Sequence, residues 1–254
     1  MKGLDYKVWL FLGFVALYTL FVLFVDYTFE HYTEVLGAPV FFFALFAGFF
    51  ISRQNDRYSK VSEIIAESDG LFSYLYRVSG LMPNIQPKVR EIIRAHYQKI
   101  SDSGDWAYHV LNPSTTITDL TDAFAQMNDK ENQEVAESPA GSSASEIIWD
   151  VLLELQLKRK KMLSLYSEKL LLFQWAIIYV LGLILVVTFN FIPTPDGFIV
   201  EILKVLFASA VFLVIILLKQ LNDLSLFGKK FSQRTARDVF RILDEKDKDE
   251  IGEK

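Results

Sequence analysis

The residues that could carry out a reaction are few and scattered. The chain holds three histidines, His31, His96 and His109, and no cysteine. Thiolate nucleophiles, disulfides and Cys-based metal sites are therefore excluded together. No HExxH, CxxC, GxSxG, Walker A or GxGxxG spacing occurs. His96 falls within a helical period, without the neighbouring ligands that a metal requires. The sequence thus points away from an enzyme and names no catalytic residue, cofactor or metal ligand.

Two features place unusual side chains in apolar surroundings. Glu201 and Lys204 stand three residues apart near the start of a long apolar run, so they can pair on one helix face. One reading puts both at the outer membrane interface, where a lysine can snorkel. The other makes them a ring of charge at an outer pore mouth. Gln174 and Asn190 are polar residues near the ends of the preceding apolar run. The second feature is a phenylalanine cluster: Phe41, Phe42, Phe43, Phe46, Phe49 and Phe50. On a helix Phe42, Phe46 and Phe49 share one face, and Phe41, Leu45 and Phe49 an adjacent one. These five are the pore-lining candidates. They are either lipid-facing or packed residues, or an aromatic constriction that gates by dewetting once several copies assemble.

The elements that must position these residues are membrane helices. Hydrophobic residues make up 52% of the chain, and 22 residues are phenylalanine, concentrated in four blocks. A spanning helix needs about 20 mainly apolar residues. Val8 to Val25, Leu36 to Ile51, Leu170 to Ile192 and Phe198 to Leu218 are the four candidates. Pro39 lies near the start of the second, and Pro193 and Pro195 stop the third. The first lacks the small-residue cleavage site of a signal peptide and reads as a retained span. The expected fold is all-α and polytopic, with two hairpins, 1–52 and 170–219. A helical cytosolic domain, 53–169, is inserted between them, and a cytosolic tail, 220–254, follows.

Orientation follows from the Lys/Arg bias of short loops. The loop between the first two spans holds Asp26, Glu30 and Glu34 without a basic residue, and the turn between the last two holds Asp196. The other flanks are basic: Lys2 and Lys7; Arg53, Arg57 and Lys60; Lys158, Arg159, Lys160 and Lys161; Lys219, Lys229, Lys230, Arg234 and Arg237. Both termini are expected inside, in a multi-pass protein of the inner (plasma) membrane. The partner that composition implies is the lipid bilayer, and nothing suggests nucleic acid.

In the cytosolic domain Val61, Ile64, Ile65, Leu71, Phe72, Leu75 and Tyr76 recur at helical spacing. Pro87 opens a second helix carrying Val89, Ile92, Ile93, His96, Tyr97 and Ile100, and Ser101 to Gly104 breaks it. A short piece begins at Asp105-Trp106, and a fourth covers Thr116 to Met127. Asn128 to Ser145 is expected to be a flexible loop. A long helix, capped by Ser145, then runs toward the third span. No Pro or Gly interrupts Ser145 to Leu181, so this helix is expected to enter the membrane unbroken. The tail from Phe231 to Leu243 is a further amphipathic piece.

Several segments, in order, resemble the bestrophin-like membrane proteins of bacteria. They are Gly48-Phe49-Phe50 at the exit of the second span; Leu75-Tyr76-Arg77 through Pro87-Lys88-Val89-Arg90 to Tyr97 and Asp105-Trp106; Leu155 through Arg159 to Leu163; and Leu221-Asn222-Asp223-Leu224-Ser225-Leu226-Phe227-Gly228. The resemblance implies a homo-oligomer, with the second span lining a central ion pathway for inorganic ions. Bestrophins themselves are pentameric anion channels with an apolar, aromatic-rich neck, which makes a pentamer the candidate assembly. A proton-driven stator has a similar hairpin, cytosol, hairpin order, and Glu201 is the one candidate here for its proton path. The alternative to conduction is a membrane sensor or scaffold whose cytosolic helices bind a protein partner, for example in stress or phage defence.

Overall fold

The computed structural model describes residues 32–104, 115–126, 139–190, 198–225 and 234–244, with Gly13, Ala16, Leu17 and Thr19. The first expected span therefore lies outside the described residues apart from these four. So do His31, His109, Asp105, Trp106 and the turn holding Asp196. The described residues are helical with no strand: α1 Tyr32–Ser79, α2 Gln86–Ser103, α3 Thr116–Ala125, α4 Pro139–Ser167, α5 Leu172–Asn190, α6 Phe198–Asn222 and α7, 234–244. Three of them, α1, α5 and α6, are long and apolar enough to cross a membrane.

The chain divides into two compact units. One comprises Met1–Asp56 with Lys169–Leu224, the other Arg57–Glu168 with Ser225–Lys254. Helix α1 contributes to both. It starts at Tyr32, earlier than the apolar run, so Pro39 lies inside it and forgoes the bond to the carbonyl four residues back.

In the first unit Phe43, Ala47 and Phe50 recur at four and three residues on α1. They are buried with Leu170, Ile178 and Leu185 on the α5 side and Val211 and Leu218 on α6. Helices α5 and α6 are held close by Phe189 stacked on Phe207, ring centroids 4.1 Å apart. Gly182 is what lets them approach. A Cβ there would sit 3.3 Å from Ile215 Cδ1 and 3.5 Å from Phe43 Cε2. Gly182→Ala needs a shift of only a few tenths of an ångström, whereas Gly182→Leu overfills the contact. The Leu variant is expected to lose about 1–3 kcal/mol and the Ala variant well under half of that, read as unfolding midpoints in detergent. Equal midpoints would show that the helices do not meet at Gly182.

The second unit is a helical core. Phe72, Leu75 and Tyr76 of α1 meet Val89, Ile93, Tyr97 and Ile100 of α2, Leu120 and Phe124 of α3, Ile148, Leu152 and Leu155 of α4, and Ala236, Val239 and Leu243 of α7. Each fully buried side chain of this size contributes about 1.5–3 kcal/mol. Helix α2 ends where expected, because Gly104 takes the left-handed conformation, φ 63°, and its N–H bonds the Ile100 carbonyl.

Two expectations are corrected. The flexible loop does not extend to Ser145. Residues 127–138 lie outside the described set, but Pro139 already opens α4. Gly141 and Ala144 are buried, and residues this small let the first turns settle on the core. Ser145 is therefore inside the helix and does not cap it. The long helix is also not continuous into the third apolar run, because Glu168 to Leu171 is non-helical.

Candidate functional site

The break between α4 and α5 contains neither Gly nor Pro, so its cause lies in side chains from elsewhere. Arg57, 4% exposed, donates from Nε to the Leu165 carbonyl at 2.5 Å and from Nη2 to the Tyr166 carbonyl at 3.0 Å. A helix leaves its last four carbonyls without internal partners, and the guanidinium fork satisfies two of them. In the other unit the amides just before α5 are met similarly. Asn222 Oδ1 accepts from Leu170 N–H at 2.7 Å, and Gln174 Oε1 accepts from Leu171 N–H at 2.9 Å. Gln174 thus occupies the third helical position and reaches back to the residue before the helix, half of a capping box. That spacing is a signal readable in the sequence. Arg57 and Asn222 give no local signal.

The phenylalanine cluster of α1 is divided between two faces. Phe43 and Phe50 are buried against α5 and α6, and Phe46 is half-buried beside them, stacked on Phe50 at 6.1 Å. Phe41, Phe42, Leu45 and Phe49 point outward, Phe41 being 62% and Phe49 61% exposed. Of the five pore-lining candidates, four share this outer surface and Phe46 belongs to the packed side. Phe43 supplies the contact at Gly182 and was absent from that set. The spacing of seven apolar residues does not reveal which side meets α5.

Near the other end of the α5–α6 pair lies a polar group. Lys204 is only 7% exposed and does not reach outward. Its Nζ lies 3.8 Å from Glu201 Oε1, a loose pair. Asn190 is 3% exposed, and both its amide atoms, like Glu201 Oε2, are buried without a hydrogen-bond partner. Val186 packs on Ala208 and Phe189 on Phe207, an antiparallel register that sets Asn190 level with Lys204. Buried polar groups without partners cost free energy, and ionisable residues in a membrane helix mark function more often than structure. No protein-family model, curated protein or solved structure matches the chain.

In the second unit Asp69, Tyr97 and Lys158 stand away from their ordinary values. Tyr97, 1% exposed, donates its hydroxyl to Asp69 Oδ1 at 2.5 Å. Burial pushes the Asp69 carboxyl up to about 7; the Tyr97 bond opposes this, and the charge of Asp238 adds to it. Burial, then the charge and the hydrogen bond of Asp69, hold the Tyr97 hydroxyl well above its ordinary value. His96 lies beside them, its ring 5.1 Å from that of Tyr97 and its Nδ1 3.0 Å from Thr116 Oγ1. The hydrogen bond to Glu67, at 2.6 Å, raises Lys158. Among the described residues no three of His, Cys, Asp and Glu gather as a metal set.

Proposed function

We propose that this chain is an ion channel of the inner membrane, assembled from several copies, with the outward aromatic face of α1 lining the pathway. The observation that carries the reading is the division of the phenylalanines. Phe43 and Phe50 bind α1 to its own α5–α6 pair, which leaves Phe41, Phe42, Leu45 and Phe49 as a contiguous apolar surface. A ring of such faces makes a narrow apolar neck that conducts when wetted. In this reading the first expected span completes a four-span chain with both termini in the cytosol, and the assembly is bestrophin-like in having an aromatic neck. The buried Asn190, Glu201 and Lys204 group then lies near the outer mouth.

Ion flux through purified protein in liposomes tests this. Phe42→Ala and Phe49→Ala are expected to change flux several-fold while leaving the unfolding midpoint within about 0.5 kcal/mol. Phe43→Ala is expected to lose about 3 kcal/mol of stability instead. An oligomer verified by native mass spectrometry that passes no ion sinks the proposal.

One observation favours a second reading, a scaffold that binds a protein partner. Trp149, Leu153 and Leu157 form an exposed row at four-residue spacing on α4, opposite its buried face. In that reading the protein passes no ion, and Trp149→Ala with Leu153→Ala would abolish capture of the partner.

A further inference from the structure

Helix α4 has two unlike sides. Ile148, Val151, Leu152 and Leu155 are buried in the second unit. On the opposite side Trp149, Leu153 and Leu157 are 44%, 58% and 56% exposed. The charged residues flanking that row are exposed as well, and their signs are sorted along the helix. Glu146 and Asp150 lie toward its start, Lys160 and Lys161 toward its end. Lys158 does not join them, because Glu67 and Glu154 of its own chain engage it. Glu146, Asp150, Leu153, Leu157, Lys160 and Ser164 follow one another at alternating four- and three-residue steps, the spacing of a coiled-coil seam.

The sorting of charge selects a partner. Turned end for end about the midpoint between Leu153 and Leu157, this face maps onto itself with opposites matched. Leu153 falls on Leu157, Asp150 on Lys160, Glu146 on Ser164 and Trp149 on Lys161, where an ammonium can stand over the indole ring. A parallel copy would instead set Asp150 on Asp150 and Lys160 on Lys160, and like charges opposed across an interface cost affinity. A foreign surface has no reason to share this two-fold pattern.

We propose that α4 pairs antiparallel with α4 of a second copy, Leu153 and Leu157 packing around a two-fold axis and Asp150 and Lys160 pairing on either side of it. The contact is isologous, so it joins copies in twos, whereas a ring is closed by head-to-tail contacts. Copies in one membrane meet this way when the two-fold axis stands along the membrane normal. The seam is short, about 27 Å from Glu146 to Ser164, which makes it a weak contact below standard interface size, favoured where the membrane concentrates the copies. It takes up the exposed row of the second reading, names a second copy as its occupant, and does not depend on conduction.

The chain has no cysteine, so introduced thiols report without background. Full-length copies carrying Asp150→Cys are co-expressed with copies carrying Lys160→Cys, and the membranes are oxidised. The mixed disulfide is expected. Neither variant alone is expected to form one, because in the antiparallel pair identical positions stand about 15 Å apart along the axis and a disulfide needs Cα atoms within about 7 Å. Charge supplies the second arm. With Leu153→Cys and Leu157→Cys copies as reporters, Asp150→Lys in both is expected to cut the disulfide yield about fivefold, and adding Lys160→Asp to restore it. All four positions are exposed, so each variant keeps its core. No mixed disulfide, an equal one from Asp150→Cys alone, or a charge swap that restores nothing overturns the proposal. Flux without the mixed disulfide removes this contact and leaves the ring of α1 faces standing; the disulfide without flux does the reverse.

Discussion

Arg57→Met is expected to destabilise the full chain by about 3–5 kcal/mol, because it removes the groups that close the end of α4. The side chain is buried and bonds the carbonyls of both Leu165 and Tyr166. Met fills similar volume, so the loss is not chiefly one of packing. It leaves the Tyr166 carbonyl without this donor and the Leu165 carbonyl with only the long bond from Glu168 N–H at 3.3 Å, each loss costing up to about 1–3 kcal/mol. Arg57→Lys is expected to recover less than half, because an ammonium cannot present the two-pronged fork. Chemical unfolding in detergent gives the energies. Proteolysis at Glu168 to Leu171 gives the location, with faster cleavage in the Met variant. A loss below about 0.5 kcal/mol, in the range of surface changes, would refute the capping role.

The second large effect concerns Glu201 and Lys204, whose environments differ. The Lys204 side chain is 9% exposed and that of Glu201 33%. Glu201→Gln therefore strands a buried ammonium and is expected to cost about 3 kcal/mol or more, since breaking a buried pair costs roughly 3–5. Lys204→Met leaves a carboxylate whose side chain is a third exposed, and is expected to cost about half as much. The double variant removes both charges and is expected to cost less than either single change, because it leaves no unpaired charge. Three unfolding midpoints and the wild type make the cycle. Costs that simply add would mean that the two side chains do not interact.

The helices of the second unit were legible because they repeat simple patterns. Val89, Ile93, Tyr97 and Ile100 recur at three and four residues, Pro87 stands at the start of α2 and Gly104 at its end. The apolar lengths of α1, α5 and α6 were equally plain. The junction at Glu168 to Leu171 was not, because it is made by Arg57, which lies 108 positions from Leu165, and by Asn222, which lies 52 from Leu170. No local breaker records it, although Gln174 hinted at a helix start. The candidate site was legible in part. Six phenylalanines within ten positions announce an aromatic surface, but their division into packed and outward faces depends on where Gly182 opens room for Phe43. The Asp69–Tyr97 bond joins residues 28 apart, and periodicity places Tyr97 in a core without saying that a carboxylate waits there.

The interrupted path from α4 to α5 has a consequence for synthesis. A ribosome completes Leu170 well before it reaches Asn222, so while the third apolar run is emerging its first amide has no Asn222 to bond. With no Gly or Pro between Ser145 and Leu181, local preference at that stage favours one uninterrupted rod through the junction. The Asn222 bond is thus acquired only after α6 has been translated, whereas Arg57, translated earlier, is already there to close α4. The start of α5 is therefore completed last, by a side chain translated 52 positions after Leu170.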